Sequence, residues 1–483
     1  MKIDNLKNLT ENKVLIYSLF LTVLVLSIVS LIRFFYYDNI VIGEQPYYNI
    51  RMAKHILENG FPLRDPLVDS PYLFQPFHFV LAGFSSLFGV SFASFLLPIL
   101  SGLISVLLFY LILKELKVNC LNKLASLFIL IISPIFVYTF SILNSYSLSI
   151  VVLLLAFFLF IKKQKIFFVL SLVFFVLISF FNFLSIVFGL AIILIYSLNY
   201  KNKIKKFYYI LWAVVLISLI RYLIYLIKYG IPYISLSSDI LINYIAELGG
   251  LISFGVFNII LFGIGLYIKW KKKKQILGYI FLFTAIIFSF YFNSINIYLN
   301  FIFALFAGSA FVFIIKMRYS LAIIKKLMLG LLLFGLIFST VSYTARISTL
   351  LPDNKIIDSL NWLKENTEPE DIIFSHYTKG NWIEAIAERP VLLDINLLYI
   401  EDVKAKLNDS EIIFYSRNLK RTLSLFEKHD VSYVWIDSDM KKNLVWFEEE
   451  GLLFLFSDRN MFRKVYDKDG IEIWELRREN FAY

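Results

Sequence analysis

Apolar runs of about 20 residues, the length a helix needs to cross a hydrocarbon core of about 30 Å, recur through the first 345 residues of this chain. A water-soluble core cannot absorb so many, because hydrophobic residues make up 59% of the sequence and a helix that is apolar all round needs lipid or other helices on every side. The runs read as 14–37, 91–113, 124–143, 146–161, 166–181, 183–199, 207–227, 249–269, 276–292, 297–316 and 327–345, about eleven spans. The loops carrying Lys114 and Lys117, Lys162 to Lys165, Lys201 to Lys206, Lys271 to Lys274 and Lys316 to Lys326 all fall on one side if the N-terminus, with Lys2, Lys7 and Lys13, is cytoplasmic. The net charge of +11 therefore encodes topology and does not mark a nucleic-acid surface. One further apolar stretch, Phe74 to Phe88, contains Gln75, Pro76 and His78 and is too short to span. Counting it would also put every later basic loop outside, so it reads as a re-entrant or interfacial segment. The first run is too long for a cleaved leader and no small-residue cleavage site follows it. The single cysteine, Cys120, excludes an internal disulfide.

Past its first dozen residues, this membrane domain (1–345) places every carboxylate but Glu115 in two loops, 38–90 and 228–248. Charge asymmetry assigns both loops to the non-cytoplasmic side. Carboxylates gathered at one face above an apolar bundle mark where a polar substrate would be handled. In the first loop, Pro46 suits the first position of a helix and Gly60 the residue just past its end, with Ile50, Ala53 and Leu57 forming an apolar stripe beneath Arg51, Lys54 and Glu58. This helix is expected to lie flat on the membrane. Glu44 then stands at its N-terminus, where the macrodipole stabilises a negative charge, either as a site residue or simply as a charge-complementing helix start.

After Ala345 the composition changes, and residues 346–483 read as a soluble, extracytoplasmic α/β domain. Ile356 to Asn366 and Asn418 to His429 have helical period; Asp371 to Tyr377, Val391 to Asp394, Val431 to Asp437 and Ile471 to Leu476 read as strands. The fold class is thus a polytopic α-helical membrane protein with a C-terminal soluble α/β domain.

The string Glu44-Gln45-Pro46-Tyr47-Tyr48-Asn49-Ile50-Arg51-Met52-Ala53, followed by Glu58-Asn59-Gly60-Phe61-Pro62 and Arg64-Asp65-Pro66, resembles the first outer loop of the oligosaccharyltransferase catalytic subunits, within the GT-C class of membrane glycosyltransferases. Tyr244-Ile245-Ala246-Glu247 is similar to that family's Ser/Thr-Val/Ile-x-Glu motif. Lys379 to Ile383 and Ala387 to Asp394 resemble the segment around its Trp-Trp-Asp-Tyr-Gly signature. The order of these elements agrees over most of the chain, and three motifs in order carry more than any one alone. The chain also departs from the pattern. Where the family has a metal-binding aspartate before Pro-Tyr, this sequence has Gln45, with Glu44 one residue earlier. The second outer loop, at Ser141 to Tyr146, has only neutral groups, and the tryptophan signature reads His376-Tyr377-Thr378-Lys379-Gly380.

The resemblance implies transfer of a sugar or glycan from a polyprenyl-phosphate-linked donor to a protein or glycan acceptor. On it, Glu44, Asp65 and Glu247 are the candidate catalytic carboxylates, with Asp69 a further acid/base partner. Tyr47, Arg51 and Arg221 are the candidate substrate-binding residues. Glu44 and Glu247 are also the candidate ligands of a divalent metal, Mg or Mn, although hard cations want more carboxylate oxygens than this set supplies. Such chemistry needs a carboxylate to orient or deprotonate the acceptor and positive charge on the departing phosphate. Arg221, an arginine inside the seventh span, fits the second need unless it only snorkels to headgroups. The neutral Gln45 and Asn144 also allow a non-catalytic member of the same architecture that binds lipid-linked glycan or scaffolds a partner. Ion or solute transport fits less well, since the spans lack buried carboxylates.

Overall fold

The computed structural model describes residues 11–478 apart from 38, 66, 69–71, 230–239, 271–275, 398, 399, 401, 448 and 449. In chain order its helices are α1 (Glu11–Tyr36), α2 (Gln45–Asn59), α3 (Pro76–Phe88), α4 (Val90–Glu115), α5 (Cys120–Ile131), α6 (Pro134–Ser141), α7 (Ser145–Ile161), α8 (Lys165–Ile178), α9 (Phe183–Asn199), α10 (Lys201–Tyr229), α11 (Val256–Trp270), α12 (Ile276–Ser289), α13 (Ile295–Lys316) and α14 (Ala322–Ser348). Among the described residues, α1, α4, α10, α13 and α14 are long and apolar enough to cross a membrane, and α5 with α6, bent by 63°, makes a sixth if the pair is one span. The shorter apolar helices α3, α7, α8, α9, α11 and α12 have 10–17 residues. Each apolar run read from the sequence coincides with one of these helices or with the bent pair. The bend itself has a local cause: Pro134 brings no N–H to the helix, and the Ser133 hydroxyl starts a new one by accepting from the Phe136 amide at 3.2 Å.

Small residues let the bundle close. A Cβ on Gly308 of α13 would meet the backbone of Ser126 on α5, and one on Gly265 of α11 would meet the Phe306 carbonyl. Beside them Phe262 stacks on Phe303, the ring centroids 3.7 Å apart. At the end of α1, buried Arg33 donates to the carbonyls of Asn39 (2.9 Å), Leu350 (3.1 Å) and Pro352 (2.9 Å). One guanidinium thus ties the start of the first loop to the chain leaving α14.

Residues 354–478 form an α/β unit with α15 (Asn354–Asn366), β1 (Ile372–Phe374), α16 (Val403–Tyr415), α17 (Leu419–Lys428), β2 (Val431–Ile436), β3 (Phe462–Lys468) and β4 (Ile471–Leu476). The sheet order is β1-β2-β4-β3, with β1 parallel to β2 and the other pairs antiparallel. Asp469 and Gly470, both with positive φ (58° and 84°), make the tight β3–β4 turn. The expected strand at 391–394 is a single bridge, Val391 to Ile373. Its first residue follows Pro390, which offers the ladder no N–H, and the chain turns away where Asp394 accepts from the Asn396 amide at 2.9 Å. Of the elements named above, α16 and β3 lie outside the sequence reading.

Candidate active site

The first loop and the C-terminal unit meet at the start of α2. Gly43 holds φ +85°, a backbone glycine adopts freely. Its amide donates to the Leu351 carbonyl at 2.8 Å, and its carbonyl accepts the indole N–H of Trp382 at 3.0 Å. Tyr47, one turn into α2, is buried in a core formed with Ile356, Leu360, Ile373, Trp382 and Trp435 of the C-terminal unit. Its hydroxyl pairs with the Asn39 side chain. The candidate substrate-binding tyrosine is thus placed as the anchor of the interface.

Glu44 occupies the position before α2 and, among the described residues, its carboxylate makes neither a hydrogen bond nor a salt bridge. It is half-buried, and burial lifts its carboxyl to about 7, opposed by the positive charge of Lys379. Tyr138 of α6 lies within electrostatic reach. Lys379 is buried against Asp437 at 2.8 Å and sits over the Trp382 ring, 4.9 Å from its centroid. A desolvated carboxyl without a partner, poised near neutrality, has the character of a proton-accepting group.

Arg51 was expected on an open polar face, free to meet phosphate. Instead α2 is covered by the C-terminal unit, and Arg51 is buried in a bidentate pair with Asp65, one contact at 2.6 Å, and in ion contact with Glu384 at 2.7 Å. Asp394, bonded to the Asn396 amide and side chain at 2.9 and 2.8 Å, lies in the same field. Burial pushes Glu384 well above the ordinary carboxylate range and raises Asp394 as well, each against the pull of Arg51. Asp65 is thereby committed to an ion pair within the interface.

Glu247 lies in the turn Ala246–Leu248, exposed, and both carboxylate oxygens accept from the Val256 amide, 3.2 and 3.1 Å away, at the start of α11. Arg346 of α14 holds that turn by donating to the carbonyls of Ala246 (2.8 Å) and Gly250 (2.6 Å). Arg221 of α10 is buried between Phe180 and Tyr222 and donates to the carbonyls of Ser179 (2.5 Å) and Phe74 (3.0 Å), joining the end of α8 to the first loop. Both expectations for Arg221, a free phosphate cation or one snorkelling to headgroups, thus meet a side chain held on protein carbonyls. Asn144 caps α7 by accepting from the Ser147 amide at 3.0 Å. Asp69 lies outside the described residues.

The structure therefore brings Glu44, Tyr47, Arg51 and Asp65 together at one interface, while Glu247 and Arg221 serve other junctions. Glu44 and Glu247 do not fit the divalent metal that the resemblance implied. One carboxylate caps a helix, the other stands by itself, and among the described residues no group of three or more His, Cys, Asp or Glu is arranged to hold a metal ion. Trp382 and Lys379 lie in the segment matched to the tryptophan signature, but no local spacing marks either as a site residue. Glu384 had no signal at all.

The fold is similar to that of two solved membrane glycosyltransferases, and among the described residues the chain is largely helical, with several helices long and apolar enough to cross a membrane. The oligosaccharyltransferase of Archaeoglobus fulgidus in its apo form matches with a TM-score of 0.67 at 14% identity, over 90% of this chain and 70% of that one. The same archaeal enzyme, AglB, in complex with an inhibitory peptide and a dolichol-phosphate matches at 0.63 and 15%, over 88% and 70%, and it has also been crystallised with Zn and sulfate. ArnT of Cupriavidus metallidurans, bound to undecaprenyl phosphate, matches at 0.57 and 9%, over 95% and 97%. No family model matches the sequence, and no curated protein does. At these identities the likeness defines the fold.

Proposed function

We propose that this protein is a membrane glycosyltransferase that moves a sugar or glycan from a polyprenyl-phosphate-linked donor to a protein or glycan acceptor at the external face. In this reading the bundle crosses the membrane about eleven times, the shorter apolar helices included, with the N-terminus cytoplasmic and the C-terminal α/β unit outside. The observation that carries the reading is Glu44: a carboxyl raised to about 7, without a partner among the described residues, at the junction of bundle, first loop and C-terminal unit. Two of the solved neighbours hold lipid phosphates, a dolichol-phosphate and undecaprenyl phosphate, which supports a lipid-phosphate donor.

Glu44 takes the proton of the acceptor's O–H or N–H as the oxygen or nitrogen bonds to the anomeric carbon. The anomeric C–O bond breaks in the same step, and the polyprenyl phosphate leaves with the electron pair. The proton ends on Glu44 and is released to water. General-base assistance of this kind contributes about 10²–10⁴-fold, so Glu44→Gln in the full chain, reconstituted in bilayers with radiolabelled polyprenyl-phosphate sugars, is expected to lose transfer by at least about 10²-fold. Full transfer in that variant removes Glu44 from the mechanism.

A second reading, a non-catalytic binder of lipid-linked glycan or a scaffold, is favoured by the engagement of Glu247 and Asn144 as helix caps. Saturable binding of a polyprenyl-phosphate sugar without turnover, across a series of divalent cations, would select it.

A further inference from the structure

Gly43 and Glu44 are fixed from the far end of the chain. The Trp382 indole is buried, its N–H is spent on the Gly43 carbonyl at 3.0 Å, and its ring face carries the Lys379 ammonium at 4.9 Å. Lys379 is held in place by Asp437 at 2.8 Å and Asp439 at 3.5 Å. A single short segment, Tyr377 to Trp382, thus does two things at the start of α2. It anchors the backbone that carries Glu44, and it presents a cation whose orientation is set by two carboxylates and an aromatic face. By contrast, Trp435 and Trp446 donate within the C-terminal unit, to the Ser359 hydroxyl and the Phe414 carbonyl.

We propose that the C-terminal unit completes the Glu44 site, with Trp382, bonded to the Gly43 carbonyl, as the positioning residue for the Gly43–Glu44 backbone and with Lys379, stacked on the same indole, as a neighbouring cation. The inference rests on the glycosyl-transfer reading for its catalytic consequence and on the geometry for the arrangement itself. Among the described residues, the titratable groups within electrostatic reach of Glu44 are Lys379 from the C-terminal unit and Tyr138 from α6. Removing the first takes away a positive charge that favours the ionised carboxyl, so the carboxyl midpoint must rise.

The test is isotope-edited infrared titration of the full chain in bilayers, with the Glu44 band assigned by its loss in Glu44→Gln, run beside transfer assays using radiolabelled polyprenyl-phosphate sugars. Trp382→Phe keeps an aromatic face and loses the N–H. We expect it to unfold thermally near the parent, to move the Glu44 midpoint away from about 7, and to lower kcat by about tenfold or more with KM little changed. Lys379→Gln is expected to move the midpoint upward. A folded Trp382→Phe protein with the parental midpoint and kcat overturns the positioning role. If Trp382→Phe does not insert, Lys379→Gln decides, and an unmoved midpoint overturns the proposal. A moved midpoint in a protein whose parent shows no transfer upholds the arrangement and rejects the glycosyl-transfer reading, whereas parental transfer that both variants retain does the reverse.

Discussion

The indole nitrogen of Trp382 bonds the carbonyl of Gly43 across 339 positions of sequence. The residue after Gly43 is Glu44, so the group best suited to proton transfer is located by a side chain outside the bundle. Its pH behaviour follows from its surroundings. If Glu44 acts as the base, transfer rises as pH increases through about 7 and levels off above it. Initial rates between pH 5 and 9 check this, and a profile flat through that window would exclude Glu44 as the titrating base.

The same carboxyl makes a claim about stability. Its folded-state value lies above the ordinary 4.5, so between about 4.5 and about 7 the folded state binds the proton more tightly. The stability from that proton is fully present below about 4.5 and lost as pH rises through about 7. Glu44→Gln, which cannot ionise, is therefore expected to raise the thermal unfolding temperature at pH 8 and leave it nearly unchanged at pH 4. Equal shifts at both values would contradict the burial argument.

At the α2 interface, Arg51→Ala strips the cation from buried Asp65 and Glu384 and is expected to cost about 3–5 kcal/mol, as breaking a buried pair does. Burial pushes the Glu384 carboxyl above the ordinary range, so Glu384→Gln, which has no charge to bury, should cost less and stay within about 1 kcal/mol of the parent. Chemical unfolding of the two variants side by side distinguishes them. Comparable losses would mean that the Arg51–Glu384 ion contact outweighs the cost of burying the carboxylate.

Arg221 fastens the first loop to α8 through two carbonyls. Arg221→Met should loosen the first loop around Phe74, read as faster cleavage there by a protease added to reconstituted protein. Unchanged cleavage, with weaker binding of lipid phosphate, would restore the role first expected of it.

The proposed orientation has a built-in reporter. Cys120 is the chain's single cysteine and opens α5, on the side read as cytoplasmic. A membrane-impermeant maleimide should label it in inverted vesicles and spare it in right-side-out ones. A cysteine placed at exposed Phe447 in a Cys120→Ser background should show the opposite pattern.

The helices were legible because period and length survive without knowledge of neighbours: the apolar run read at 183–199 matches helix α9 to the residue, and that at 146–161 differs from α7 by one. The C-terminal unit was read less fully. β3 lies in Phe462 to Lys468, a stretch whose alternation is blurred by Arg463, Lys464, Asp467 and Lys468, although the Asp469-Gly470 turn signalled a hairpin. The site was half legible. Glu44 stood out as an isolated acid beside a helix start, but the partners of Arg51 and Arg221 are carboxylates and carbonyls supplied by distant segments, which no local spacing encodes. An arginine reads the same in sequence whether it awaits a ligand or is already saturated.

Gly43 is clamped by Leu351 and Trp382, both translated long after the helices they organise. A nascent chain threading into the bilayer consequently carries Glu44 in an unfinished setting, and the centre assembles only once synthesis has passed the last membrane helix and reached residue 382. On the proposed role of Glu44, the protein stays inert throughout its own insertion.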